Sequence, residues 1–125
     1  MNSLAIVSLI FIGGGFGSVS RYAVGKFALQ VFDHVKFPIG TLIANTLACL
    51  ILGLTLFLLK DKMLQNEWIK YLIIIGFCGG FSTFSTYSID TLRLFQTGFF
   101  MLGILNMLIS LALGIGILLL FVRPT

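Results

Sequence analysis

The chain has 125 residues, 58% of them hydrophobic and only 10% charged, with a mean hydropathy of +1.12. A soluble domain carries about 25% charged residues, so this composition excludes a water-soluble fold and points to an all-α integral membrane protein. The net charge of +4 comes from basic residues scattered among short connecting segments, without the basic face that nucleic-acid binding needs.

A span needs roughly 20 apolar residues, so the chain has room for about four spans and little else. Residues 1–125 are expected to form one transmembrane domain. The first span is predicted from about Leu4 to Gly25, with a possible continuation to Val31. It lacks a basic leader region and an A-x-A-like cleavage site, so it is taken as a retained span. Its middle holds Gly13, Gly14, Gly15 and Gly17, with Ser20-Arg21-Tyr22 towards its end. The glycines follow no strand and sit within a span, which excludes a nucleotide loop and favours close helix contact. Arg21 has two readings, a headgroup anchor or a charge that caps exposed carbonyls and gathers anions at a vestibule.

The first loop is Phe32 to Phe37. Pro38 opens the second span, where its missing N–H costs least, and that span runs to about Leu59 with Thr41 and Asn45 one turn apart. Lys60-Asp61-Lys62 starts the second loop, in which Trp68 is expected as an interfacial anchor. The third span, Tyr71 to Phe95, is interrupted in its middle by Gly76-Phe77-Cys78-Gly79-Gly80-Phe81-Ser82-Thr83-Phe84-Ser85-Thr86-Tyr87-Ser88. The break is expected at Gly79-Gly80. Unpaired backbone groups are tolerated at membrane depth only where protein or a water-filled path surrounds them, so this segment reads as the working part of an ion pathway. Gln96-Thr97-Gly98 is a tight turn. The fourth span runs from about Phe99 to Val122, with Asn106, Ser110 and Gly114 on one face.

If the half-span after Gly80 is helical, Phe81, Phe84 and Tyr87 form one stripe beside a row of hydroxyls. Hydroxyl and amide groups donate hydrogen bonds, and ring edges carry positive potential. A small anion can shed water against such a wall without a full charge to trap it, and conduction needs binding of that weak kind. The bland alternatives are Ser and Thr satisfying backbone freed at the break, and Asn45 and Asn106 making ordinary interhelical bonds. Cys49 and Cys78 fall inside spans and read as packing residues. His34 reads as an ordinary loop residue.

Orientation follows the Lys/Arg bias of the loops. One side holds Lys60, Lys62, Lys70 and Arg123, and the other holds Arg21, Lys26, Lys36 and Arg93, four against four. With no bias to choose an orientation, insertion in both directions and an antiparallel dimer become a hypothesis.

Three stretches together resemble the Fluc (CrcB) family of small fluoride channels: residues Gly13 to Tyr22, Gly40 to Asn45, and Gly76 to Tyr87. The resemblance covers essentially the whole chain. It implies an antiparallel dual-topology homodimer in the bacterial cytoplasmic (inner) membrane, with two pores that passively export fluoride and no nucleic-acid partner. It implies Phe84 and Tyr87 as the aromatic pair, Asn45 as the pore amide with Thr41 beside it, and a hydroxyl track at Ser85 and Thr86 with Thr83. Ser110 and Asn106 would face the pore from the fourth span, and Arg21 and Asp90 would lie at the vestibule. Gly79 and Ser82 would offer backbone carbonyls to a central structural Na⁺. Tyr87, Asp90 and Asn106 depart from the Phe, Glu and Tyr common at those places.

The rival reading is a small four-helix multidrug-type exporter of dual topology. Such a transporter needs a carboxylate embedded in the membrane, whereas the first span has none and Asp90 lies near a span end. An assembly protein would explain Gly13 to Gly17 but not the hydroxyl and aromatic stripes. No nucleophile–base or metal constellation is legible, so an enzyme is not expected.

Overall fold

The computed structural model describes residues 1–122. Helix α1 spans Ser3–Val31, and Asn2 caps it by accepting the Ala5 N–H at 2.8 Å. Helix α2 spans Ile39–Leu58, with Pro38 immediately before it. The short helix α3, Lys60–Gln65, occupies the second loop and was not anticipated from the sequence. Helix α4 follows. Its first part, Lys70–Cys78, is wound with the wide π-helical turn, and it continues as ordinary α-helix over Gly79–Phe81. Helix α5 is Phe84–Gln96 and α6 is Phe100–Phe121. Gly98, at φ 89°, makes the turn between them, a backbone conformation that favours glycine.

Among the described residues, four segments are long and apolar enough to cross a membrane: Ser3–Val31, Ile39–Leu58, Lys70–Gln96 and Phe100–Phe121. These match the four predicted spans, and no strand occurs among the described residues. Side chains such as Leu4 and Phe11 on α1 are exposed, as expected of a surface that meets lipid rather than water.

The position of the break differs from expectation. Gly79 and Gly80 are helical, and the extended backbone falls at Ser82 (φ −81°, ψ 153°) and Thr83 (φ −150°, ψ 120°). Gly80 serves contact instead. A Cβ there would lie 2.5 Å from the carbonyl oxygen of Gly14 on α1. The same seam brings Gly13 against the Leu72 carbonyl and Gly17 against the Phe77 carbonyl, and a Cβ on Gly76 would meet the Gly13 Cα at 3.0 Å. In hydrocarbon, helices associate through such close backbone approach. The predicted role of Gly13 to Gly17 therefore holds for Gly13, Gly14 and Gly17, whereas a Cβ on Gly15 would meet nothing within 4 Å.

The break also divides the aromatic stripe. Phe81, on α4, is buried with Ala44 and Ala48 of α2, and its ring meets Phe77 edge-on at 5.5 Å. Phe84, two residues past the start of the break, is 81% exposed. Extended residues at 82 and 83 put the two helices out of phase, so Phe81 is core while Phe84 is surface.

On the other side of α2, Gly53 admits the Phe121 ring and Gly114 of α6 faces the Cys49 sulfur. Cys49 and Cys78 are free thiols, as expected of packing residues.

Candidate functional site

The break is held by a side chain from another helix. Asn45 lies on α2, one turn beyond Thr41. Its Oδ1 accepts the Thr83 N–H at 2.8 Å, and its Nδ2 donates to the Thr83 carbonyl at 3.3 Å. The amide thus replaces the helical partners that an extended Thr83 has lost. A primary amide carries two N–H groups, so one remains for another acceptor. Thr83 in turn caps α5: its Oγ1 accepts the Thr86 N–H at 3.2 Å. The same oxygen lies 3.1 Å from the Ser85 hydroxyl and 3.3 Å from that of Thr86. Three hydroxyls and one amide therefore meet at the start of α5, where the helix dipole is positive.

The end of α4 is also tied. Arg21 reaches from α1 to the Gly80 carbonyl, with Nε at 3.3 Å. The contact fits the reading of Arg21 as a cap on carbonyls exposed at the break. A cation suits the C-terminal end of a helix, where partial negative charge gathers.

Beside these contacts opens a cavity of about 600 Å³, whose polar lining includes Arg21, Lys26, Thr41, Thr83, Thr86, Asp90 and Arg93. Among the described residues, three cations from α1 and α5 face one space with two carboxylates, Asp33 and Asp90. Asp90 does not stand free in it, because Thr41 donates a hydrogen bond to its carboxylate at 2.7 Å. That bond joins α2 to α5 just outside the break. A concave space with cations on its wall raises the local concentration of anions. Lys36 lies at the same end, over the ring of Phe99 at 5.8 Å. Lys60, Lys62 and Lys70 belong to α3 and the start of α4, between the other ends of α2 and α4. Lys36 and the three cavity cations thus belong to one group and Lys60, Lys62 and Lys70 to another, while Arg123 lies outside the described residues.

The remaining predicted residues are placed elsewhere. Phe84 and Tyr87 lie on α5 with ring centroids 6.0 Å apart, away from the cavity lining. Phe84 is exposed and Tyr87 half-buried. Asn106 and Ser110 lie on α6, where Ser110 donates to Asn106 at 3.3 Å. Asn106 is only 2% exposed and donates to Thr91 of α5 at 2.8 Å. Gly79 and Ser82 line a separate cleft of about 220 Å³ together with Cys49 and Cys78.

Three residues of the site escaped the sequence reading. Thr91 is the buried partner of Asn106, and its four-residue spacing from Tyr87 was the available signal. Lys26 and Arg93 were read only as topological charges, although their shared side with Arg21 pointed to one wall.

Residues 8–122 match the family model described as CrcB-like protein, Camphor Resistance (CrcB). The chain belongs to the CrcB family. It is 39% identical over 110 residues to a Coxiella burnetii (strain CbuK_Q154) protein named Fluoride-specific ion channel FluC, covering 87% of this chain and 88% of that one. A Vibrio parahaemolyticus protein of the same name is 38% identical over 116 residues, covering 92% and 90%. A Serratia proteamaculans protein, also so named, is 40% identical over 109 residues, covering 87% and 84%. Each of these relatives is named as a channel and none as an enzyme. The sequence resemblance to the family is thereby borne out, and an integral membrane channel fold accounts for the four apolar spans.

Proposed function

We propose that this chain is a fluoride-selective channel that lets F⁻ leave the cell passively. The observation that carries this reading is the Asn45 amide on the extended Thr83, beside Thr86 and under a cavity walled by Arg21, Lys26 and Arg93. Anions gather in the cavity, where Arg21, Lys26 and Arg93 outnumber Asp33 and Asp90 and raise their local concentration. Fluoride then exchanges water for hydrogen-bond donors: the free N–H of Asn45 and the hydroxyls of Ser85 and Thr86. The ring edges of Phe84 and Tyr87 continue the path along α5, and Ser110 of α6 adds a donor. No full positive charge lies among these groups, so the ion is not trapped. The names of the relatives support fluoride as the ion.

In this reading the functional unit is an antiparallel homodimer in the bacterial cytoplasmic (inner) membrane, with two pores. The equal division of Lys and Arg between the two sides supports insertion in both directions. The exposed Phe84 supports a pore wall completed by a second copy. A Na⁺ at the dimer centre would be held by the backbone carbonyls of Gly79 and Ser82. The fit is reasonable: Gly79 is exposed and a Cβ on it would meet nothing within 4 Å. The Ser82 hydroxyl and N–H both turn to the Cys78 carbonyl, which leaves carbonyl oxygen as the available ligand. Bare oxygen ligands suit a hard cation. When bound, the ion would join the two copies electrostatically.

Fluoride efflux from liposomes holding the purified protein, followed with a fluoride electrode beside a parallel chloride measurement, tests the proposal. Rapid fluoride release without chloride release is the expected result. No release from well-folded protein would reject it and leave the family likeness as one of fold.

A further inference from the structure

A chain of hydrogen bonds crosses from α6 to α5 on the side of α5 away from the cavity. Ser110 Oγ donates to Asn106 Oδ1 at 3.3 Å, Asn106 Nδ2 donates to Thr91 Oγ1 at 2.8 Å, and Thr91 Oγ1 donates to the Tyr87 carbonyl at 2.8 Å. All three bonds point the same way, towards Tyr87. Asn106 and Thr91 are 2% and 6% exposed, so neither has water as a substitute partner. In this sense of the relay the Ser110 hydrogen is turned inward to Asn106. It is not available to an anion.

We propose that the relay reverses when fluoride reaches Ser110, with Thr91 as the positioning residue that makes the reversal possible. The inference rests on the channel reading above. A half-turn of the Asn106 amide exchanges its oxygen and nitrogen. Thr91 then donates to Asn106 Oδ1, and Asn106 Nδ2 donates to Ser110 Oγ. The Ser110 O–H is released and points at the anion. No atom is transferred and no proton changes owner. Asn106 makes the same number of bonds in both senses. The only bond surrendered is the Thr91 hydroxyl on the Tyr87 carbonyl, a local back-bond that a helix does not require. The weakest link is at the right place, since the Ser110 contact is the longest of the three.

An amide is needed for this because it carries both donor and acceptor on one rotor. Leucine at 106 would offer neither and aspartate would offer no donor when ionised. A hydroxyl is needed at 91 because it accepts in one sense and donates in the other. Fluoride, a small and strong hydrogen-bond acceptor, drives the turn better than chloride does. Ser110 thus becomes a donor that is shown to the ion and withdrawn after it.

The direct test is the side-chain ¹⁵N–¹H signal of Asn106 in the full-length protein, titrated with sodium fluoride and, separately, with sodium chloride. The expected result is a shift with fluoride and little with chloride. The shift should vanish in Ser110→Ala and Thr91→Val and return in Thr91→Ser, which keeps the hydroxyl. A wild-type signal that fluoride leaves unmoved overturns the proposal, as does an equal shift in Ser110→Ala. In liposomes, Thr91→Val should lower fluoride efflux about tenfold, the scale of one lost hydrogen bond. Adding Ser110→Ala to Thr91→Val should cost little more, because both act through one donor. Independent, additive losses from the two substitutions would reduce Thr91 to a packing residue and overturn the relay. The channel reading fails separately, if wild-type protein releases no fluoride, while the amide signal still decides whether the relay turns.

Discussion

Replacing Asn45 separates the structural from the conducting role of one side chain. Asn45→Asp keeps an oxygen for the Thr83 N–H, now 2.8 Å from an amide oxygen, but loses the 3.3 Å donation to the Thr83 carbonyl. One net hydrogen bond is worth about 1 kcal/mol, and this is the expected loss of stability. Asn45→Ala removes both bonds and leaves the Thr83 N–H unpaired, for a total of about 2–3 kcal/mol. Flux should follow the opposite order. A carboxylate about 4 Å from a passing fluoride repels it by about 4 kcal/mol at an effective dielectric constant near 20. That is roughly a thousandfold in occupancy. Alanine at this position offers no such repulsion and should reduce flux far less in whatever fraction remains folded. The assay pairs thermal unfolding with fluoride efflux from liposomes, normalised to folded protein. The crossing is the signature: alanine worse for stability, aspartate worse for flux. Wild-type flux through folded Asn45→Asp protein would remove this amide from the pathway and leave it as a clamp on the break.

Other expectations follow from particular contacts. Phe84→Ile should suppress fluoride efflux while leaving the unfolding temperature almost unchanged, because Phe84 is 81% exposed within the chain; equal flux in the folded variant would remove the ring from the path. Gly17→Ala drives a methyl into the Phe77 carbonyl, so the helices must part, at a cost of about 1–3 kcal/mol in unfolding measurements. Gly15→Ala is the control, since its Cβ meets nothing within 4 Å, and equal destabilisation by both would refute the seam. Prolonged replacement of Na⁺ by a large organic cation should lower the stability of the dimer; indifference after exhaustive exchange would count against the Gly79 and Ser82 carbonyls as its ligands.

Much of the site was legible in the sequence as a list of residues. Asn45, Thr83 and Thr86 are polar in the midst of apolar runs, and buried polar groups must find partners or a path. Their pairing was not legible. Asn45 and Thr83 are 38 residues apart, and Arg21 reaches Gly80 across 59. No local pattern reports such distances. Asn106 shows the other limit. Its polar character left an interhelical bond and a polar cavity equally open, and within the chain it is buried and bonded to Thr91. Hydropathy measures what a side chain costs in lipid, not which donor relieves that cost.

The number, length and order of the spans were determined by the sequence alone. Hydropathy adds residue by residue, and a stretch of sufficient length must cross or be buried whatever its neighbours are. The even spread of lysine and arginine was likewise a property of the linear chain. Only the tertiary structure decided where α4 ends. Two adjacent glycines permit a break, but they equally permit contact, and the outcome depended on α1 lying against them. With Gly14 packed on Gly80, the helix is kept through Phe81, and the extended residues fall where Asn45 can bind both backbone groups of Thr83. A glycine lowers a barrier without choosing a conformation, and the choice belongs to whatever the fold places opposite it.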